Sequence, residues 1–177
     1  MTTIPLPFET FPMDGAEISP DGFYRYKLWR TWVKNGSPVN TRRVLWVMLN
    51  PSTADEQTDD ATIRRCRGFS RNWGYGGLMV MNLFAYRATN PKVLKVVEDP
   101  VGRSNMALFD AELEQKDRLI VAAWGDAFAT TPREYHPYIT AMVQGLREHG
   151  AKCLGHTKSG NPRHPVRLPY ATELEDL

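Results

Sequence analysis

The sequence predicts an α/β domain in three layers, α/β/α, with a short, mostly parallel four-stranded central sheet and an N-terminal antiparallel hairpin at its edge. Three observations carry this expectation. Short apolar runs rich in β-branched and aromatic residues recur along the chain, stretches with helical spacing separate them, and each run ends in a polar segment. Crossovers between parallel strands are right-handed, so the polar segments are expected to gather on one rim at the strands' carboxyl ends.

One domain spanning residues 1–177 is expected. Residues 1–15, with prolines at 5, 7 and 12, read as an extended arm. Residues 16–34 read as the edge hairpin. Ser19-Pro20-Asp21-Gly22 is turn chemistry, and Tyr24, Tyr26 and Leu28 alternate with Arg25 and Lys27, setting an apolar face against a charged one. The loop Asn35-Gly36-Ser37-Pro38 leads into an α/β core at residues 42–168. Within it, Val44-Leu45-Trp46-Val47-Met48-Leu49 is too short for a core helix and reads as a strand buried on both faces. Pro51 has no N–H to give the ladder, so the strand stops at Asn50-Pro51-Ser52-Thr53.

Thr58-Asp59-Asp60 offers caps for a helix to about Asn72. Its Ile63, Cys66 and Phe69 face the sheet, and Arg64, Arg65, Arg67 and Arg71 lie opposite. A second strand at residues 78–81 runs into Asn82 and the segment ending at Arg87. A helix around residues 103–116 and a strand at 118–124, closed by Gly125, follow. Thr131-Pro132-Arg133-Glu134 has the form of a capping box, with Pro137 competing as the start of a helix that reaches His149. Residues 151–155 form a short fourth strand, residues 156–165 a long loop, and residues 169–177 an acidic, peripheral tail.

A chain of this length buries roughly 70% of its unfolded surface and needs no staple. A net charge of +2 permits a polyanion partner without demanding one. Cys66 and Cys153 are far apart in no redox-like spacing, which fits reduced thiols in a cytoplasmic protein. No secretory signal or membrane-length apolar run is present, so no membrane partner is expected. Gly-x-Gly-x-x-Gly, Walker-type and Gly-x-Ser-x-Gly motifs are missing, which removes the dinucleotide, nucleoside triphosphate and serine-hydrolase readings, and no cofactor is expected. Cys153-x-x-His156 with His164 lacks a fourth ligand, so no metal is expected.

The candidate site residues lie on the predicted rim. Asn50 offers a carbonyl and an NH₂ that can hold a water, or it is a turn asparagine bonded to its own backbone; Pro51, Ser52 and Thr53 continue its loop. Asn82 can read a base or amide edge, or tie adjacent loops together. Phe84 and Trp124 can stack a planar ring, or belong to the core. Arg87 and Gly125 close the second and third polar segments. His164 can donate to a developing negative charge, and Lys158 and Arg163 in the same loop favour an anion. Arg64 and Arg65, with Arg163 and Arg167, are the candidates for tracking a nucleic-acid backbone.

From about Tyr24 to Leu168 the chain resembles the bacterial and phage family called domain of unknown function 1643. LNPSTAD, DDATIRRC, WGYGGLMVMNLFAYRATNP, VAAWG and LGHTKSGNPRHP carry the likeness. More distantly, the order Asn-Pro loop, strand-Asn, strand-Gly and loop-His-Pro is similar to the uracil-DNA glycosylase superfamily. That resemblance implies a compact α/β domain with a four-stranded parallel sheet. It gives Asn50 the role of placing the attacking water, Asn82 that of reading the base, and His164 that of stabilising the departing base. Met48 and Ser52 stand where that family's first motif has glycines. Three functions follow as alternatives. The first is a hydrolase of DNA-glycosylase type, acting on a nucleobase in DNA or RNA or in a nucleotide. The second is a non-catalytic nucleic-acid or nucleotide binder, and the third a protein-interaction module of a phage or mobile-element system.

Overall fold

The computed structural model describes residues 14–32, 42–52 and 58–177. Residues 1–13 of the expected arm, the Asn35–Pro38 loop and Thr53 lie outside the described residues, and Asp14 and Gly15, the rest of that arm, instead begin the first strand, where they pair with Arg30 and Trp29. Among the described residues one mixed sheet has seven strands: β1 (Asp14–Ile18), β2 (Arg25–Thr31), β3 (Arg43–Met48), β4 (Gly77–Asn82), β5 (Ile120–Ala122), β6 (Lys152–Cys153) and β7 (Glu175–Asp176). Their spatial order is β1-β2-β4-β3-β5-β6-β7. The β3–β4, β3–β5 and β5–β6 pairs are parallel, and the β1–β2, β2–β4 and β6–β7 pairs are antiparallel.

Strand β3 sits between β4 and β5, and its alternate side chains enter two different cores. Val44, Trp46 and Met48 pack with Ile63, Cys66 and Phe69 of helix α1 (Ala61–Asn72). Leu45 and Val47 pack with Phe109 and Leu113 of α2 (Asn105–Leu113) and with Ile139, Met142 and Leu146 of α3 (His136–Glu148). An apolar side chain sealed in this way contributes about 1.5–3 kcal/mol. Trp46 also satisfies its one polar atom by donating from Nε1 to Ser70 Oγ at 3.0 Å. No helix among the described residues is long and apolar enough to cross a membrane.

Three further local expectations are corrected. The capping box at Thr131 does not form. Thr131 Oγ1 donates instead to Phe128 O at 2.7 Å, a 3-10 turn occupies Arg133–Tyr135, and α3 begins at His136 with Pro137 in its first turn. The tail is not peripheral, because β7 pairs with β6 and completes that edge of the sheet, which makes seven strands rather than four and a hairpin. The hairpin also does not keep its simple alternation. Glu17 opposes Lys27 while Ile18 opposes Arg25, so Tyr26 is an extra, unmatched residue. Such a bulge re-aims the side chains beyond it. Lys27, still in regular register opposite Glu17, reaches Glu112 on α2 at 2.8 Å, whereas Arg25, beyond the bulge, is buried and comes under the influence of Asp60 at the start of α1.

Candidate functional site

The carboxyl ends of β3, β4 and β5 and the loop after β6 surround a cavity of about 170 Å³. Asn50, Ser52, Asn82, Trp124 and His164 line it, together with Arg25 and Asp60. Four separate chain segments thus deliver polar or aromatic groups to one place, as parallel strands with short polar exits should.

Asn50 follows β3. Its Nδ2 donates to Ala88 O at 2.8 Å and to Pro51 O at 3.2 Å. Two carbonyl partners fix which end of the amide is nitrogen, and the side-chain oxygen has no partner among the described residues. That oxygen is an acceptor free to hold a water. Asn82 ends β4 and is 1% exposed. Its backbone oxygen accepts from Asn105 Nδ2 at 3.0 Å, but its own side-chain NH₂ has no partner among the described residues. A buried donor left unpaired costs about 1–3 kcal/mol, and an occupant of the cavity that accepts its hydrogen bond would recover this.

Asp60 caps α1, its Oδ1 accepting from Ile63 N at 2.8 Å and its Oδ2 from Ser52 Oγ at 2.6 Å. Each of these carboxyl oxygens accepts one such hydrogen bond, which leaves acceptor capacity on both. Burial lowers the Arg25 pKa to about 10, an effect that Asp60 opposes and that Arg87 and Arg30 reinforce. Arg25 therefore stays a cation throughout the physiological range. Sequence alternation concealed it; only the unmatched residue at Tyr26 could have signalled its burial. Asp60 was visible in the sequence as a cap and not as a wall of a cavity.

His164 stands at the rim, exposed by area but crowded enough to lower its pKa from the ordinary 6.5, with Asp60 pulling the other way. Its Nδ1 accepts from Val166 N at 3.5 Å, so the neutral ring carries its proton on Nε2 as a donor. The unfolded chain protonates this histidine before the folded one does. Stability is therefore expected to fall as the pH drops through 6.5 and to level off once the folded ring also takes its proton. His164→Gln should flatten that segment of the melting temperature plotted against pH.

The loop carrying His164 is ordered by specific ties. Thr157 Oγ1 and Asn161 Nδ2 both donate to Asp126 Oδ1, at 2.6 and 3.0 Å, and they lower the Asp126 pKa. Gly125 N donates to Pro162 O at 2.8 Å, which brings the loop against the exit of β5. Gly125 has φ 68° and ψ −172°, a region open in practice only to glycine, and an added Cβ would lie 3.2 Å from His164 Cβ. Gly125→Ala is expected to cost about 1–3 kcal/mol in chemical denaturation and to displace His164.

The other candidates lie elsewhere. Phe84 is fully buried in the core, edge-on to Tyr135, and does not line the cavity. Pro51 is buried behind the site, and its carbonyl accepts from Ala88 N at 2.9 Å. Arg87 donates to Gly22 O at 3.1 Å and so fastens the hairpin turn. Lys158 and Arg163 are exposed and outside the cavity lining. Arg64 is exposed and bonds to Asp59 O, while Arg65 bonds to Leu168 O and lies 3.8 Å over the Tyr170 ring. Arg167 is exposed in the 3-10 turn after His164.

The family model described as "Protein of unknown function (DUF1643)" matches residues 25–166. The chain belongs to the DUF1643 family. Neither the curated proteins nor the solved structures provide a match to it. The matched span includes Arg25, Asn50, Asp60, Asn82, Trp124 and His164, so every cavity residue discussed above lies in the part of the chain that defines the DUF1643 family.

Proposed function

We propose that this DUF1643 protein is a cytoplasmic nucleobase-directed domain with a uracil-DNA-glycosylase-like fold and pocket. In this reading the cavity holds a single base, presented by DNA or else by RNA or a nucleotide, and the N-glycosidic bond is hydrolysed there. The observation that supports this most is that Asn50, Asn82 and His164, far apart in sequence, line one cavity in which the Asn82 NH₂ is buried with no partner among the described residues. At about 170 Å³ the cavity lies below the roughly 300 Å³ at which drug-sized pockets begin, which suits one ring rather than a dinucleotide.

In the proposed reaction the Asn50 side-chain oxygen holds a water whose oxygen attacks the anomeric carbon, and the proton it loses goes to Asp60. The carbon–nitrogen bond breaks, its electron pair leaves with the base, and Nε2–H of neutral His164 donates to the resulting anion. Val166, beside the His164-Pro165 pair, is a 37% exposed apolar side chain suited to filling the gap left by a flipped base.

The test is release of free base from single- and double-stranded DNA bearing uracil or a modified base. Release by the native protein that is lost in Asn50→Ala and His164→Ala supports the reading. Release that survives both changes removes these residues from the chemistry. Salt-sensitive DNA binding without release points to the non-catalytic binder instead. The Asn82 role has its own signature. Asn82→Asp exchanges a donor for an acceptor and is expected to weaken binding of a base presenting a carbonyl edge by about 1–3 kcal/mol. The same change should favour a base presenting an amino group, and calorimetry with uracil and cytosine checks both.

A further inference from the structure

A second cluster of reactive groups lies at the β6–β7 edge, apart from the cavity. Cys153 on β6 and Glu175 on β7 are directly opposed in the antiparallel register, so their side chains share one face. Gly155, at φ 87°, turns the chain after β6 so that His156 returns to the same place. Cys153 Sγ lies 3.9 Å from His156 Nδ1 and 3.8 Å from Nε2, and His156 Nδ1 is 2.6 Å from Glu175 Oε1. The three donor atoms all fall within 4.8 Å of one another. His164, the third donor suggested by the sequence, lines the other cavity; the third donor here comes from the tail.

We propose that Cys153, His156 and Glu175 form a zinc site with three protein donors and one open position. Zinc takes sulfur at about 2.3 Å, nitrogen at about 2.0–2.1 Å and carboxylate oxygen at about 2.0–2.2 Å in a tetrahedron, so donor atoms end roughly 3.4–3.6 Å apart. The sulfur–nitrogen spacing need close by only a few tenths of an ångström, and the histidine–carboxylate hydrogen bond opens by under one. Mixed sulfur, nitrogen and oxygen donors suit zinc rather than calcium or magnesium. His156 also lines a second cavity of about 240 Å³, which leaves room beside the donors for a water or small ligand.

A cysteine–histidine–glutamate nucleophile triad is the competing use of these residues. The sulfur is nearly equidistant from both ring nitrogens, not aligned with Nε2 alone, and it is completely buried. Burial first, then Glu175 and Asp176, push the thiol pKa up from its ordinary value. These features disfavour a free nucleophile. Metal binding replaces the thiol proton: Cys153–SH and Zn²⁺ give the zinc thiolate and one released H⁺.

Cobalt(II) titration of the full chain, stripped with chelator, tests the site. One equivalent should produce a near-ultraviolet sulfur-to-cobalt charge-transfer band, and zinc should displace it. Cys153→Ser should abolish the band while Cys66→Ala, in the opposite core layer, preserves it. Because Cys153 is buried, Glu175→Gln on the exposed β7 serves as the variant least disruptive to folding. It is expected to weaken cobalt and zinc binding by at least ~10–100-fold, since even outer-sphere losses have that effect. No band at one equivalent, a band retained in Cys153→Ser, or unchanged affinity in Glu175→Gln would each overturn the site.

Discussion

Asp59→Ala is expected to destabilise the protein by about 3–5 kcal/mol, the cost of breaking a buried ion pair from one side. Arg30 is the reason. Its side chain is 2% exposed on β2, and its Nε meets Asp59 Oδ1 at 2.8 Å, while Arg67 Nη1 reaches Asp59 Oδ2 at 3.3 Å. Arg30 also donates to the Trp29 carbonyl at 3.0 Å, and Asp14 lies 4.0 Å away, partly exposed. Those contacts soften the loss, so the lower end of the range is expected. For a chain of this size each kcal/mol lowers the melting temperature by roughly 2–4 °C. Asp59→Asn should cost less, because a neutral amide still accepts from Nε. Denaturant midpoints with unchanged slopes would measure both changes. A loss below about 1 kcal/mol for Asp59→Ala would show that the pair does not hold the hairpin to α1.

That pair bears on the site as well as on stability. The same strand carries Arg25 to the cavity, and the residue after Asp59 is the cap that faces it. Loosening the hairpin is therefore expected to disturb the electrostatics around Asp60 before the sheet itself fails.

Much of the frame was legible because apolar runs announce themselves. The strand at residues 44–49 and the helix facing the sheet through Ile63, Cys66 and Phe69 follow from period alone. The places that resisted are those where one interaction outweighs a local pattern. Glu175 and Asp176 have no strand propensity; they pair because β6 would otherwise leave its edge ladder open. Arg25 breaks the alternation because Tyr26 is an extra residue in the hairpin. Phe84 follows Asn82 closely enough to share the rim, yet the chain turns it into the core against Tyr135. Arg65 shares its exposed helix face with Arg64, but the Tyr170 ring and the Leu168 carbonyl claim it. Pairings with a distant tail leave no trace in the local sequence.

On the proposed reading, His164→Ala is expected to lower the rate of base release by about 10²–10³-fold, the usual cost of losing one preorganised donor to a developing anion. The effect should fall on kcat more than on KM, because the donor meets negative charge that appears only as the bond breaks. Its lowered pKa sharpens the expectation, since the ring is neutral near pH 7 and works as a hydrogen-bond donor, not as an acid. His164→Gln keeps a donor and should recover part of the loss. Asn50→Ala removes the water's acceptor and should also act on kcat, with the double variant losing less than the product of the two single effects if both serve one step. Steady-state rates for the native protein and the four variants decide it. A His164→Ala variant with full kcat and a raised KM would make this ring a binding group at the cavity mouth and leave the leaving base without its stabiliser.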